Sequence, residues 1–171
     1  MKFVLFSVIL LLLVNACKSE EQKPVTTPKQ GDTYVLPPTK EQPKTIEKQA
    51  NIDPRVTEEI LTLINENLAA TQSEDKKAVL STIHKDSPQR NSTIQGMDFV
   101  FQNYDMVYKL EKAEVIEVTD EEVKVYYMQT TMAKKGVGFQ PARTTGIHIL
   151  KKENGKWKIF KTEYLTNEPL M

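Results

Sequence analysis

Cysteine is almost absent from this sequence. Cys17 is the only one in 171 residues, so no disulfide can form within the chain and the fold must rest on its apolar core. Histidine is nearly as scarce. His84 and His148 are the only two, far apart in the chain, and they give no metal-ligand spacing. Net charge is lacking too, since 23 Lys and Arg balance 23 Asp and Glu. From Asn51 onward, 16 basic residues face 18 acidic ones. No basic excess points to nucleic acid, and no cationic block points to electrostatic membrane attachment. Glycine is limited to six residues. Gly136-Val137-Gly138 is too short for a phosphate loop and reads as a connection between strands. No serine sits in a nucleophile-elbow pattern. No cofactor is called for by these residues. An apolar run of about 20 residues, as a membrane span needs, is also missing.

A shorter apolar run is present. Lys2 precedes Phe3 to Val14, the pattern of a secretory signal peptide. Val14-Asn15-Ala16-Cys17 resembles the lipobox of bacterial lipoproteins, with an aliphatic residue, then a small residue directly before the cysteine. Val14 and Asn15 depart from the commoner Leu and small residue at those places. The resemblance implies transfer of a diacylglyceryl group to the Cys17 thiol and cleavage between Ala16 and Cys17. Acyl chains would then hold the mature protein on a membrane, on the extracytoplasmic side of the cell envelope. The same run with an incidental cysteine reads as an ordinary signal peptide or a short signal anchor.

Residues 17–50 follow as a lipidated cysteine and a polar tether. Lys, Glu, Gln, Thr and five prolines dominate it, and such a composition buries too little to order itself. A flexible chain of that length spans on the order of 30 Å.

The folded domain occupies residues 51–171. Asp53-Pro54 is a helix start, Asp as cap and Pro at the first turn. Val56, Ile60, Leu63, Ile64 and Leu68 recur at helical spacing to about Ala70. Ser73 is expected to cap a second, shorter helix carrying Val79, Leu80 and Ile83. A third opens at Asn91-Ser92-Thr93, with Ile94, Met97, Phe101 and Tyr104 on one face and Gly96 permitting close packing. From Met106 the period changes to two. Strands are expected over 106–118, 122–133, 142–152 and 157–165. Asn154-Gly155 between the last two favours a two-residue hairpin. That turn sets Lys152 opposite Trp157, Leu150 opposite Ile159, Ile149 opposite Phe160 and His148 opposite Lys161. Both faces of this hairpin then carry large apolar groups, so one is expected to pack on the helices and the other to be at least partly covered, a second subunit being one candidate for the cover.

Three N-terminal helices followed by a curved antiparallel sheet of about four strands is an α+β architecture. The order helix, short helix, "TIHKDSP", helix, then strands ending in "ENGKWKIFKTEYL" resembles the nuclear transport factor 2-like superfamily over about residues 53–165. The resemblance implies a cone in which a bent sheet wraps a long helix, a pocket at its open end, and frequent homodimers through the sheet. It does not imply one function, because the superfamily holds isomerases, dehydratase-like and cyclase-like enzymes and many domains without chemistry.

The isomerase chemistry needs a general base with an oxyanion hole of Tyr and neutral Asp. Tyrosines stand at 104, 108, 126, 127 and 164, but Asp120, the one aspartate among the expected strands, falls in a turn. The dehydratase-like route needs a His–carboxylate pair. His84 with Asp86 and His148 with Glu163 are the candidates, and Gln129, Thr131 and Arg143 are further candidates to line a pocket. Each pair also reads as structure: a helix end for the first, a surface or interface pair for the second. Two functions result. One is a lipid-anchored, non-catalytic module that binds a small apolar ligand or a protein partner. The other is a tethered isomerase, dehydratase or hydrolase using a His–carboxylate pair.

Overall fold

The computed structural model describes residues 47–171. The signal peptide, Ala16, Cys17 and most of the tether lie outside the described residues. Three helices come first: α1 (Pro54–Gln72), α2 (Lys76–Thr82) and α3 (Arg90–Asn103). Four strands follow: β1 (Asp105–Val118), β2 (Glu122–Lys135), β3 (Ala142–Glu153) and β4 (Lys156–Pro169). They form one antiparallel sheet in sequence order. The helices pack on its concave face, as the pattern predicts.

α1 begins where Asp53 accepts a hydrogen bond from the Arg55 N–H at 2.9 Å. Its far end differs from the sequence reading. Ser73 closes α1, and the cap of α2 is Asp75, whose carboxylate accepts from the Ala78 N–H at 2.9 Å. Between them Glu74 takes a left-handed φ of 58°. Asp caps as well as Ser, and the turn at Glu74 leaves only Asp75 placed to do so. Gly96 has no packing role, since a Cβ there would meet nothing within 4 Å.

The sheet bends because its edge strands carry extra residues. Glu111 and Ile116 are bulged out of the β1–β2 register, and Phe160 and Leu165 out of the β3–β4 register. The central β2–β3 ladder runs without a shift. Lengthening both edges against the centre curls a sheet.

Asn154 and Gly155 both have left-handed φ, 50° and 79°, as a type I′ turn demands. The expected register holds for Lys152–Trp157 and Leu150–Ile159, then breaks at Phe160. Ile149 faces Lys161, and His148 faces Thr162 instead of Lys161. The extra residue swings the Phe160 ring against His84, centroids 5.5 Å apart. The β4 side chains from Lys161 to Tyr164 are thereby moved to the opposite face from the one an unbroken ladder assigns, and the second bulge at Leu165 restores the original faces beyond it.

One end of the cone is solid. Ile60, Leu63 and Ile64 of α1 pack on Val115, Val123, Val125, Leu150, Trp157 and Ile159. A smaller cluster joins Ala70, Val79, Ile83 and Met97 among the helices.

Both sheet edges are met by glutamines. Gln72 donates to the Met106 carbonyl and accepts from the Tyr108 N–H, at 2.7 and 2.9 Å. Gln89 does the same to the Thr162 backbone on β4, at 2.9 and 2.7 Å. Gln49 bonds Ile116 O through its N–H and Val118 N–H through its side chain, both at 2.8 Å. The stretch read as tether therefore docks on β1 before residue 50 is reached.

Candidate functional site

The inner face of each strand changes character along its length. β2 runs Val123, Val125, Tyr127, Gln129, Thr131, and β3 runs back from Leu150 through His148 and Gly146 to Thr144. After the Phe160 bulge, β4 presents Thr162 and Tyr164 beside them. α1 changes at the same level, from Ile60, Leu63 and Ile64 to Asn67 and Thr71. Shorter and polar side chains leave space. A cavity of about 320 Å³ opens there, bounded by α1, the inner sheet face, and Phe139 and Gln140 of the β2–β3 loop. A second lobe of about 510 Å³ continues beneath α3. Asn67, Thr71, Val100, Tyr108, His148, Thr162 and Tyr164 line both.

His148 stands at the junction. Its ring stacks on Tyr127, centroids 4.3 Å apart and 15° from parallel. Its Nδ1 lies 2.9 Å from the Thr162 hydroxyl. Burial pushes the imidazole down to about 4, so it is neutral at physiological pH. Burial also pushes the Tyr127 phenol well above its usual range, and neighbouring Tyr164 adds to this. Space for the Tyr127 ring comes from Gly146. A Cβ there would collide with the Glu163 carbonyl oxygen and lie 2.7 Å from the Tyr127 ring and hydroxyl.

The lining holds no Asp, Glu, Lys or Arg in either lobe. Apart from His148 its polar side chains are amides and hydroxyls, several already hydrogen-bonded within the chain. Asn67 donates to Thr82 at 2.7 Å, Gln129 to Thr131 at 3.2 Å and Thr144 to Asn167 at 3.0 Å.

Neither His–carboxylate pair is assembled. Glu163 faces Ile147 on the outer sheet surface and pairs with Lys161 at 2.7 Å, while His148 points inward. The Phe160 bulge is the cause of that separation. His84 is buried outside the cavity, 3.9 Å from Glu153, and its N–H bonds Ile159 O on the β4 edge. Asp86 reaches His84 only through its backbone N–H, at 3.1 Å, and its carboxylate is exposed 4.0 Å from Lys85. Of the other candidates, Gln129 and Thr131 line the cavity, whereas Arg143 lies on the outer face 3.2 Å from Glu111. The Glu111 carboxyl is held below its usual range first by the Thr130 hydroxyl and also by Arg143. Among the described residues no group of three or more His, Cys, Asp or Glu converges as a metal site requires, and no helix is long and apolar enough to cross a membrane.

Asn67, Thr71, Thr144, Thr162 and Asn167 escape the sequence reading. The first two were legible, because they continue the inward face of α1 at helical spacing. Thr162 was not, since counting from the turn places it outward.

Residues 62–170 match the family model described as the C-terminal domain of the anti-sigma-I factor RsgI9. The chain belongs to that family. Anti-sigma-I factor RsgI9 of Acetivibrio thermocellus is itself 28% identical over 96 residues, covering 56% of this chain. The chain spans only 13% of that relative's length. Solved structures give the same fold for this RsgI9 C-terminal-family domain. An NTF2-like protein of unknown function from Pseudomonas putida KT2440 aligns with a TM-score of 0.56 at 12% identity, covering 67% of this chain and 88% of its own. A putative aromatic ring hydroxylase from Novosphingobium aromaticivorans aligns at 0.55 and 15% identity, covering 71% and 93%. At such identities the likeness establishes the nuclear transport factor 2-like fold and nothing about chemistry.

Proposed function

We propose that this chain is a non-catalytic binding domain that takes a small molecule into its cone, carried on the outer side of a bacterial membrane by lipid on Cys17. The observation that carries the binding reading is the lining. It encloses space, yet among the described residues it offers no carboxylate and no cation. Acid–base catalysis needs a group in reach of the substrate and tuned near the working pH. His148 is paired with a threonine and holds its neutral form far below neutrality. The competing reading, a tethered isomerase, dehydratase or hydrolase, would need a carboxylate beside that ring. The carboxylates nominated for it, Asp86 and Glu163, both pair elsewhere.

The anchoring reading is supported by the sequence alone: the apolar run, Ala16 before Cys17, and the polar stretch behind it. Replacing Cys17 by Ser is expected to leave a precursor neither acylated nor cleaved between Ala16 and Cys17. Acylated, processed Cys17→Ser protein would sink the anchoring reading.

A homodimer through the sheet has its own support. Tyr126, Met128, Ile147 and Ile149 are neighbours on the outer face and incompletely covered within the chain. Sedimentation of the purified chain is expected to show a dimer, and a monomer at high concentration removes that part. Binding is tested by native mass spectrometry of chain purified without denaturation. A stoichiometric non-covalent adduct of small-molecule mass is expected. A bare chain whose unfolding temperature no uncharged small molecule raises would overturn it.

A further inference from the structure

Building on the binding reading, we propose that the cavity is selective for uncharged amphiphiles, molecules with an apolar body carrying hydroxyl or amide groups, and that His148 is the residue that positions them. Three observations converge on this ligand class.

The first is the absence of counter-charge. Lys124 with Glu117, Arg143 with Glu111 and Lys161 with Glu163 form ion pairs on the outer face. Nothing of either sign lines the lobes. A carboxylate or ammonium entering them would shed water with no ion to replace it, which disfavours its binding.

The second is the mixed lining of both lobes. Beneath α3, Met97, Phe99, Phe101 and Phe160 stand among Ser87, Gln89, Ser92 and Thr93. Toward the β2–β3 loop, Leu68, Leu110 and Phe139 stand among Gln129, Thr131, Thr144 and Asn167. Such walls suit a molecule with an apolar body that also carries groups able to exchange hydrogen bonds. Internal bonds use only part of the capacity of these amides. Gln129 donates to Thr131 and Asn167 accepts from Thr144, which leaves the Gln129 carbonyl oxygen and the Asn167 amide nitrogen able to serve a ligand.

The third is His148, which lines both lobes. Tyr127 covers one face of its ring and Thr162 engages Nδ1. Its Nε2 makes no hydrogen bond among the described residues. A neutral imidazole offers one further hydrogen bond there: Nε2 donates if Nδ1 accepts from Thr162, and accepts if Nδ1 donates. Either form matches a hydroxyl, which both gives and takes. Ring orientation is fixed by the stack and the threonine, so the contact has a defined direction.

Three probes of equal length separate charge from shape: 6-phenylhexan-1-ol, 6-phenylhexanoate and 6-phenylhexylammonium. Each is titrated into the purified full chain at neutral pH. The readout is the NMR ring signals of its two histidines and six tyrosines. The alcohol is expected to shift the His148 and Tyr127 rings and to bind at least about tenfold tighter than either charged analogue. His148→Phe, checked for folding by circular dichroism, is expected to weaken the alcohol about tenfold while leaving hexylbenzene, which lacks the hydroxyl, unchanged. Equal shifts with all three probes would overturn the selectivity and leave the binding reading standing. Shifts confined to other rings, or an alcohol indifferent to His148→Phe, would overturn the role of His148. No shift with any probe would overturn the binding reading and this inference with it.

Discussion

The sealed and hollow ends of the cone are made by the same helix and the same strands. At the sealed end β2 supplies Val123 and Val125, β3 Leu150, and β4 Trp157 and Ile159, all buried against Ile60 and Leu63. One to two turns further along α1 those strands supply Gln129, Thr131, Thr144 and Thr162 around open space. On the two central strands nothing in the backbone distinguishes the ends, because the β2–β3 ladder passes through both without a shift. There side-chain size and polarity decide which end is solid, and on β4 the Phe160 bulge decides which side chains face the hollow one. Stability and recognition are thus placed at opposite ends of shared elements, so residues at one end can change with little consequence for the other.

The sharpest way to break this contrast is a matched pair of truncations. Leu150 is 0% exposed in the solid end, and Leu150→Ala is expected to cost about 2–5 kcal/mol. Gln129→Ala, on the cavity wall, is expected to cost less than about 1 kcal/mol. Urea unfolding of both checks it, and equal losses would erase the distinction. The boundary between the ends is tested by Gly146→Ala. The new methyl group must push the Tyr127 ring or the β4 backbone, an overpacking worth about 1–3 kcal/mol. It should also move the His148 ring signals, since the two rings are stacked.

Acidity sharpens the comparison further. Folding holds His148 neutral down to about 4, against about 6.5 in an unfolded chain. Between those values the unfolded chain takes up a proton that the folded chain refuses. Stability is complete above about pH 6.5 and is lost as the pH falls toward 4. His148→Gln should therefore lose less unfolding temperature than the parent over that window, and identical losses would refute the assignment. The smallest effect has the opposite sign. Gly96→Ala in α3 meets no neighbour and is expected to stabilise by about 0.5–1 kcal/mol, read by thermal unfolding.

Much of the fold was legible in the sequence because it rests on local rules. Asp53-Pro54 marks a helix start, Asn154-Gly155 fixes a turn, and the change of period at Met106 marks the passage from helix to strand. Strand bounds were read within a few residues except in β4, which runs to Pro169. The site was less legible, and one residue explains most of it. A ladder counted outward from a turn stays correct only until a bulge, and Phe160 supplies one through contacts with His84 and Lys151. Those partners come from the α2–α3 connection and from β3, so no local pattern announces them. The shift brought Thr162 in beside His148 and sent Glu163 out. Ser73 and Asp75 compete within a single turn, where the sequence offers two equally good caps.

The three glutamines at the sheet edges carry a consequence for life at high concentration. An open four-stranded sheet ends in two rows of unpaired backbone groups, each a template on which another chain can add a strand. Gln72 and Gln49 occupy positions along β1, and Gln89 with His84 occupies positions along β4. The Gln72 and Gln89 side chains each imitate the two hydrogen bonds an incoming strand would make, Gln49 does so with its backbone N–H and its side chain together, and His84 adds one bond through its backbone N–H. Growth of the sheet from copy to copy, the route to fibrous aggregates, is blocked at those positions by residues the chain already carries. The pairing proposed for the outer face of the sheet would be of another kind, an assembly that closes after two members instead of extending without limit.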